Sequence, residues 1–180
     1  MQALAQNLGR TLGGHPIISW PNVYVRGRAG DPDDAGLRIM KTIIDRRQPD
    51  WRDLIPPNTL RRLAACTGGD LRDFFRLIRE CAVTLSNARR EQPDAELDDE
   101  MESWVRVQLR NELLPIAADD ARWLAEIHRT KDTALPTKNK LPDLARFLNG
   151  NLIMNYLNGE PWYDIHSLLK DRDTTRHRQR

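Results

Sequence analysis

The sequence predicts a mainly α-helical chain that closes on a single β-hairpin, and three observations carry that prediction. Apolar residues recur at helical spacings of three and four through most of the stretch from residue 36 to 130. Helix breakers punctuate that periodicity at Pro49, Pro56-Pro57, Gly68-Gly69 and Pro115. Asn158-Gly159 stands between the apolar runs NLIMNYL and PWYDIHSLL, and an Asn-Gly pair suits a tight turn whose two central residues both need positive φ.

Residues 1 to 35 read as an N-terminal segment. Met1 to Leu12 is weakly amphipathic and ends at Gly13-Gly14, and Ile17, Ile18, Trp20 and Val23, Tyr24, Val25 then form a β-rich stretch broken by Pro21. One or two short strands are expected there, with the rest of the sheet supplied by a partner or an upstream domain. After the turn-rich RGRAGDPDDAG, Leu37, Met40 and Ile44 share one helical stripe that should stop near Gln48. A second helix follows Pro56-Pro57 with Asn58 as its cap and carries Leu60, Leu63 and Ala64. A third starts at Asp70 and aligns Leu71, Phe74, Phe75, Ile78, Cys81, Ala82 and Leu85.

Residues 91 to 102 hold seven acids and no base. Asp98, Asp99 and Glu100 open another helix, where acids complement the dipole, so capping is favoured over an acidic tail. That helix turns Met101, Trp104, Val105, Leu109 and Leu113 inward. The next, from Asp119 to Thr130, places Trp123, Leu124, Ile127 and His128 on its apolar side. A short helix over Pro142 to Leu148 precedes the hairpin, in which Pro161 marks an edge position. Helix, helix, short helix and hairpin is the order of a winged helix-turn-helix. The division is therefore a helical bundle over 36–92, a winged helix over 97–170, and a basic tail over 171–180 that reads as frayed.

At 180 residues, with 39% hydrophobic and 30% charged residues, the chain has the composition of a folded polar protein. A net charge of +2 is too small to make the whole surface attract nucleic acid, so any basic patch must be local. No apolar run spans a bilayer and MQALAQNLGR lacks the pattern of a signal peptide, so a cytoplasmic location is expected. Cys66 and Cys81 match no zinc spacing and read as buried thiols.

The chain holds no GxxxxGK[ST] loop, no GxGxxG, no GxSxG elbow and no zinc-protease histidine spacing. His128, His166 and Asp164 could form an acid-base couple serving a hydrolase or transferase. No nucleophile accompanies them, and histidines bonded at the edge of a small core are the preferred reading. Arg72, Arg76 and Arg79 form a basic stripe on the third helix. Arg72 stands out because it follows the Gly68-Gly69 break in the first turn, where a guanidinium can reach towards an anion.

TGGDLRDFFRLIRE resembles the lid-domain helix of AAA+ type P-loop ATPases. The resemblance extends upstream, where PNVYVRG is similar to the last core strand before the lid, and downstream, where RNELLP, DDARWLAEIHRTK and LNGNLIMNYLNGEPWYDIHSLL look like the winged helix that follows the lid in origin-recognition-like and STAND-like members. It covers about residues 17 to 170. It implies that Arg72 is the sensor 2 arginine, that residues 1–35 are the edge of an ATPase core, and that Walker A, Walker B, sensor 1 and any arginine finger lie upstream of Met1. The chain is then a coupling module that binds no cofactor alone, meets ATP and magnesium only with an upstream P-loop domain, and has that core or another protein as partner. The alternative is an autonomous DNA-binding winged helix using Lys138, Lys140, Arg146 and the tail residues Arg176, Arg178 and Arg180.

Overall fold

The computed structural model describes residues 21–135 and 137–170. Asp33 accepts from the Gly36 amide at 3.3 Å and so caps α1 (Asp34–Arg47), with Arg46 and Arg47 at its carboxyl end. Its stripe buries Leu37, Met40 and Ile44. Gln48 closes the helix before Pro49, as the sequence requires. The next five residues, Pro49–Asp53, form a 3-10 turn whose Trp51 is buried, its indole nitrogen donating to Asp45 at 2.8 Å. Lys41, Trp51 and Arg52 together hold the Asp45 carboxyl down to about 2.

Helix α2 (Pro57–Cys66) starts two residues earlier than expected: Pro57 occupies the first turn with no side-chain cap, and Asn58 lies inside the helix. Gly68 (φ +63) and Gly69 (φ +83) make the break, and Asp70 caps α3 (Leu71–Glu91) by accepting from the Asp73 amide at 2.8 Å. Asp98 caps α4 (Asp99–Glu112) in the same way, so the acidic run is a helix start. Two inward assignments are corrected. Leu71 is 39% and Trp104 54% exposed, because the buried face of α3 is set by Phe74, Leu77, Cys81 and Leu85 and that of α4 by Val105 and Leu109.

The apolar faces of α1 to α4 meet in one core, joined by Val25 and by Leu168 of the short α7 (Ser167–Lys170). Helix α4, which the sequence groups with the second unit, packs along α3 and belongs to this first core. The second core holds Trp123, Leu124 and Ile127 of α5 (Ala118–Thr130), Leu144 and Phe147 of α6 (Leu141–Asn149), and Leu152, Ile153 and Tyr163.

Strands β1 (Ile153–Asn158) and β2 (Glu160–Ile165) pair antiparallel. The turn differs from the two-residue form: Asn158 faces Glu160 and Gly159 alone takes positive φ, +90. Asn158 instead spends its side chain accepting from the Trp162 indole at 2.9 Å. The hairpin is two-faced, as a period of two dictates. Ile153 and Tyr163 enter the second core, while Met154, Tyr156 and Trp162 form a separate cluster with Tyr24. The described chain is thus mainly helical with one two-stranded sheet.

Val23, Tyr24 and Val25 are not a strand, which corrects the sequence reading; Ile17, Ile18 and Trp20 lie outside the described residues. The segment instead forms a strap. The Val23 amide donates to Gly69 O at 3.1 Å, the Asn22 amide to Asn155 O at 2.8 Å, and Asp33 to Val25 O at 2.9 Å. β-branched and aromatic residues suit this role because they pack in a cleft as well as in a sheet. Two glycines let the strap come close: a Cβ at Gly36 would stand 1.6 Å from Tyr24 O, and one at Gly69 would stand 1.8 Å from Val23 O.

Candidate functional site

The turn that opens α3 is where the strap, the first core and the hairpin converge. Tyr156 of β1 donates its hydroxyl to Gly68 O at 2.7 Å, and burial pushes that phenol up. Tyr24 meets Tyr156 and Trp162 edge-on at 6.3 and 5.9 Å between ring centres, and the latter two rings stack at 4.3 Å. One turn into α3, the buried Asp73 carboxylate receives the Asn151 amide at 3.4 Å and faces His166 Nε2 at 3.3 Å. The His166 contact is off the line of a full hydrogen bond. The Leu168 amide donates to His166 Nδ1 at 3.2 Å, which leaves the ring proton on Nε2, towards Asp73. Burial alone would raise the Asp73 carboxyl; His166, Asn151 and Arg76 outweigh it and hold it below the usual range. At the neighbouring Asp70 burial outweighs the bond from the Asp73 amide, and the carboxyl is raised.

Arg72 lies on the exposed side of this first turn, one residue from Asp73. The rest of its stripe is committed elsewhere. Arg76 grips Glu112 of α4 with both terminal guanidinium nitrogens, and Arg79 pairs with Glu80. Arg72 is exposed, and no ion pair involves it among the described residues.

The suggested acid-base couple is divided between two places. His166 is fully buried and faces Asp73, whereas Asp164 accepts from His128 Nδ1 at 2.7 Å, from Lys131 at 2.8 Å and from Lys170 at 2.7 Å. His128 is exposed, not on the apolar side of α5. Burial would raise Asp164, but Lys170, His128 and Lys131 lower it below the usual carboxylate range. A carboxylate held by three cationic or donor groups is a fastener for α5, β2 and α7 and lacks the freedom of a general base. Among the described residues no cluster of His, Cys, Asp and Glu is placed to hold a metal ion.

The cations assigned to a nucleic-acid face are occupied where they are described. Arg146 bonds Asp120 at 2.7 Å and stacks over Phe147 at 4.9 Å, and Lys140 bonds Asp143 at 2.9 Å. Lys138 belongs to the 3-10 turn Lys138–Lys140 just before α6. Arg176, Arg178 and Arg180 lie outside the described residues.

Sequence reasoning missed Asp73, Asn151 and Tyr156. A signal for the first was present: Asp73, Leu77, Cys81 and Leu85 recur every four residues, so the carboxylate rides on the buried stripe and needs a partner. Its partners, 78 residues away at Asn151 and further still at His166, carry no local signal. No helix among the described residues is long and apolar enough to cross a membrane. In comparisons with known proteins, no family model, no curated protein and no solved structure matches the chain.

Proposed function

We propose that the chain is the coupling module of an AAA+/STAND-like P-loop ATPase: α1 to α4 act as a helical lid, α5 to β2 as a winged helix, and Arg72 as the sensor that meets the nucleotide held by a core domain. The observation that carries this reading is the joint at the start of α3. A residue reporting on a phosphate is useful only if its displacement reaches another part of the molecule, and Arg72 sits in the same helical turn as Asp73, which is tied to Asn151 and His166 on either side of the hairpin. Gly68 and Gly69, immediately before it, hold Tyr156 and the strap. A shift of this turn therefore strains contacts to the wing, the kind of packed two-position element through which switching travels.

The test is ATP turnover by the chain assembled with a P-loop core domain. Arg72→Ala should lower turnover or weaken nucleotide binding by tenfold or more, the loss expected for a charge-assisted contact to a phosphate, while changing the stability of the chain alone by no more than about 0.5 kcal/mol. Unaltered turnover with a destabilised chain would contradict the assignment. The reading as an autonomous DNA reader draws less support, because Lys140 and Arg146 are matched by Asp143 and Asp120 beside the short helix that would enter the groove.

A further inference from the structure

Helices α3 and α4 run antiparallel, since Arg76 near the start of α3 pairs with Glu112 at the end of α4. Between them lies an open cleft of about 380 Å³, lined by Thr84 and Asn87 of α3 and by Asp98, Glu100, Met101 and Trp104 around the start of α4. That volume falls within the roughly 300 to 1,000 Å³ of ligand-sized clefts. Trp104 is 54% exposed here, and Val83, the neighbour of Thr84, is 49% exposed. One exposed apolar residue needs no explanation. A tryptophan lining a cleft, with a second apolar side chain close by, has the make-up of an interface centre.

The charge of the cleft says what would cover it. Its lining holds two acids and no base. Asp98 spends Oδ1 on the Met101 amide at 2.8 Å, and its carboxylate has a second oxygen to offer. No ion pair involves Asp98 or Glu100 among the described residues. The surroundings are acidic as well: residues 89 to 102 carry seven acids and two arginines, and Arg62, paired with Asp99 and Glu102, and Arg106, paired with Glu102, bring the cations to four. Seven acids against four cations leave three negative charges in excess. The amino end of α4 contributes about half a positive charge, too little to cancel them.

We propose that this cleft docks an arginine-bearing peptide segment of a partner protein, with a guanidinium stacked on the Trp104 indole and directed to Glu100 and Asp98, and an apolar neighbour in the segment covering Val83. Arginine suits the cleft better than lysine, because its planar guanidinium stacks on an aromatic ring while offering a fork of donors to a carboxylate. The same stacking occurs within the chain, where the Arg52 guanidinium lies 4.6 Å from the centre of the Trp51 ring. Arg72 does not line the cleft, so the docking site is separate from the proposed sensor and does not depend on that assignment.

The experiment follows, by fluorescence anisotropy, the binding of a labelled, blocked heptapeptide of alternating arginine and leucine to the full chain. Companion peptides replace every arginine by lysine or by glutamate, or every leucine by glycine. The arginine peptide should bind saturably and more weakly as salt is raised, the lysine and glycine forms should bind several-fold more weakly, and the glutamate form should not bind. Trp104→Ala, at an exposed site, should lose about tenfold in affinity, and Glu100→Gln, which keeps the shape and removes the charge, about two- to fivefold. Undiminished binding by Trp104→Ala, or glutamate and arginine peptides bound alike, would overturn the proposal. So would self-association of the chain that Trp104→Ala abolishes, which makes a second copy the occupant. Peptide binding that begins only when Arg176→Gln, Arg178→Gln and Arg180→Gln are combined would overturn it too, since the chain's own tail is then the occupant.

Discussion

Replacing Gly36 by alanine tests the strap, because local propensity and tertiary packing predict opposite signs. Gly36 lies in the first turn of α1, where alanine should favour the helix by about 0.8 to 1 kcal/mol. The added Cβ would stand 1.6 Å from Tyr24 O and 2.5 Å from the carbonyl carbon, and neither backbone atom can swing aside as a flexible side chain would. The strap must lift. Lifting it endangers the Val23 to Gly69 and Asp33 to Val25 hydrogen bonds, about 1 kcal/mol each, and uncovers Val25, which is fully buried and contributes about 1.5 to 3 kcal/mol. Losing about 3 to 5 kcal/mol against a gain of about 1 leaves a net cost of about 2 to 4 kcal/mol. In urea unfolding followed by circular dichroism, with a slope of about 2 kcal/mol per molar, the midpoint should fall by about 1 to 2 M. A midpoint equal to or above that of the wild type would show that the strap is not held against α1, and the reasoning about the joint would lose its first member.

Other consequences are open to simple assays. Asp73 is lowered in the folded state by His166 and Asn151 despite its burial, so its contribution is complete above the unfolded carboxyl value near 3.9 and fades as pH falls through the folded one; unfolding titrations below about pH 4 should show Asp73→Asn less acid-sensitive than the wild type, and parallel curves would contradict this. Burial pushes the Cys81 thiol up to about 12, so an aromatic disulfide reagent at neutral pH should leave it unmodified until denaturant is added. Trp104 and Trp51 should separate sharply: Trp104→Ala, at a 54% exposed site, should cost less than about 1 kcal/mol, and Trp51→Ala, at a 1% exposed site, about 3 to 5 kcal/mol.

The parts legible in the sequence are those written in local chemistry. Gly68-Gly69 with Asp70 announces the break and cap of α3, Asp98 announces α4, and Trp123, Leu124 and Ile127 announce the inner face of α5. The parts that stayed hidden depend on partners far along the chain. Val23 to Val25 has strand composition, yet its neighbours are Gly36, Gly69 and Asn155, and nothing adjacent in sequence distinguishes a strap from a strand. Trp104 follows the helical period of α4 but falls off its buried arc, since α3 covers only the side marked by Val105 and Leu109. Arg62 looks like one more solvated arginine until Glu102, 40 residues on, is found buried against it. The candidate site divides in the same way: Arg72 is marked by the glycines before it, whereas the Asp73, Asn151 and His166 set and the cleft beside Trp104 exist only after folding.

The central claim is that the first turn of α3 and the hairpin move as one, and backbone hydrogen exchange on the wild type and Asp73→Asn measures it most directly. Asn151 and His166, which flank the hairpin, lean on the Asp73 carboxylate, so the account predicts that the substitution speeds exchange both at residues 70 to 76 and across β1 and β2, with α1 little changed. Faster exchange confined to the first turn of α3, with the hairpin amides as protected as in the wild type, would contradict it.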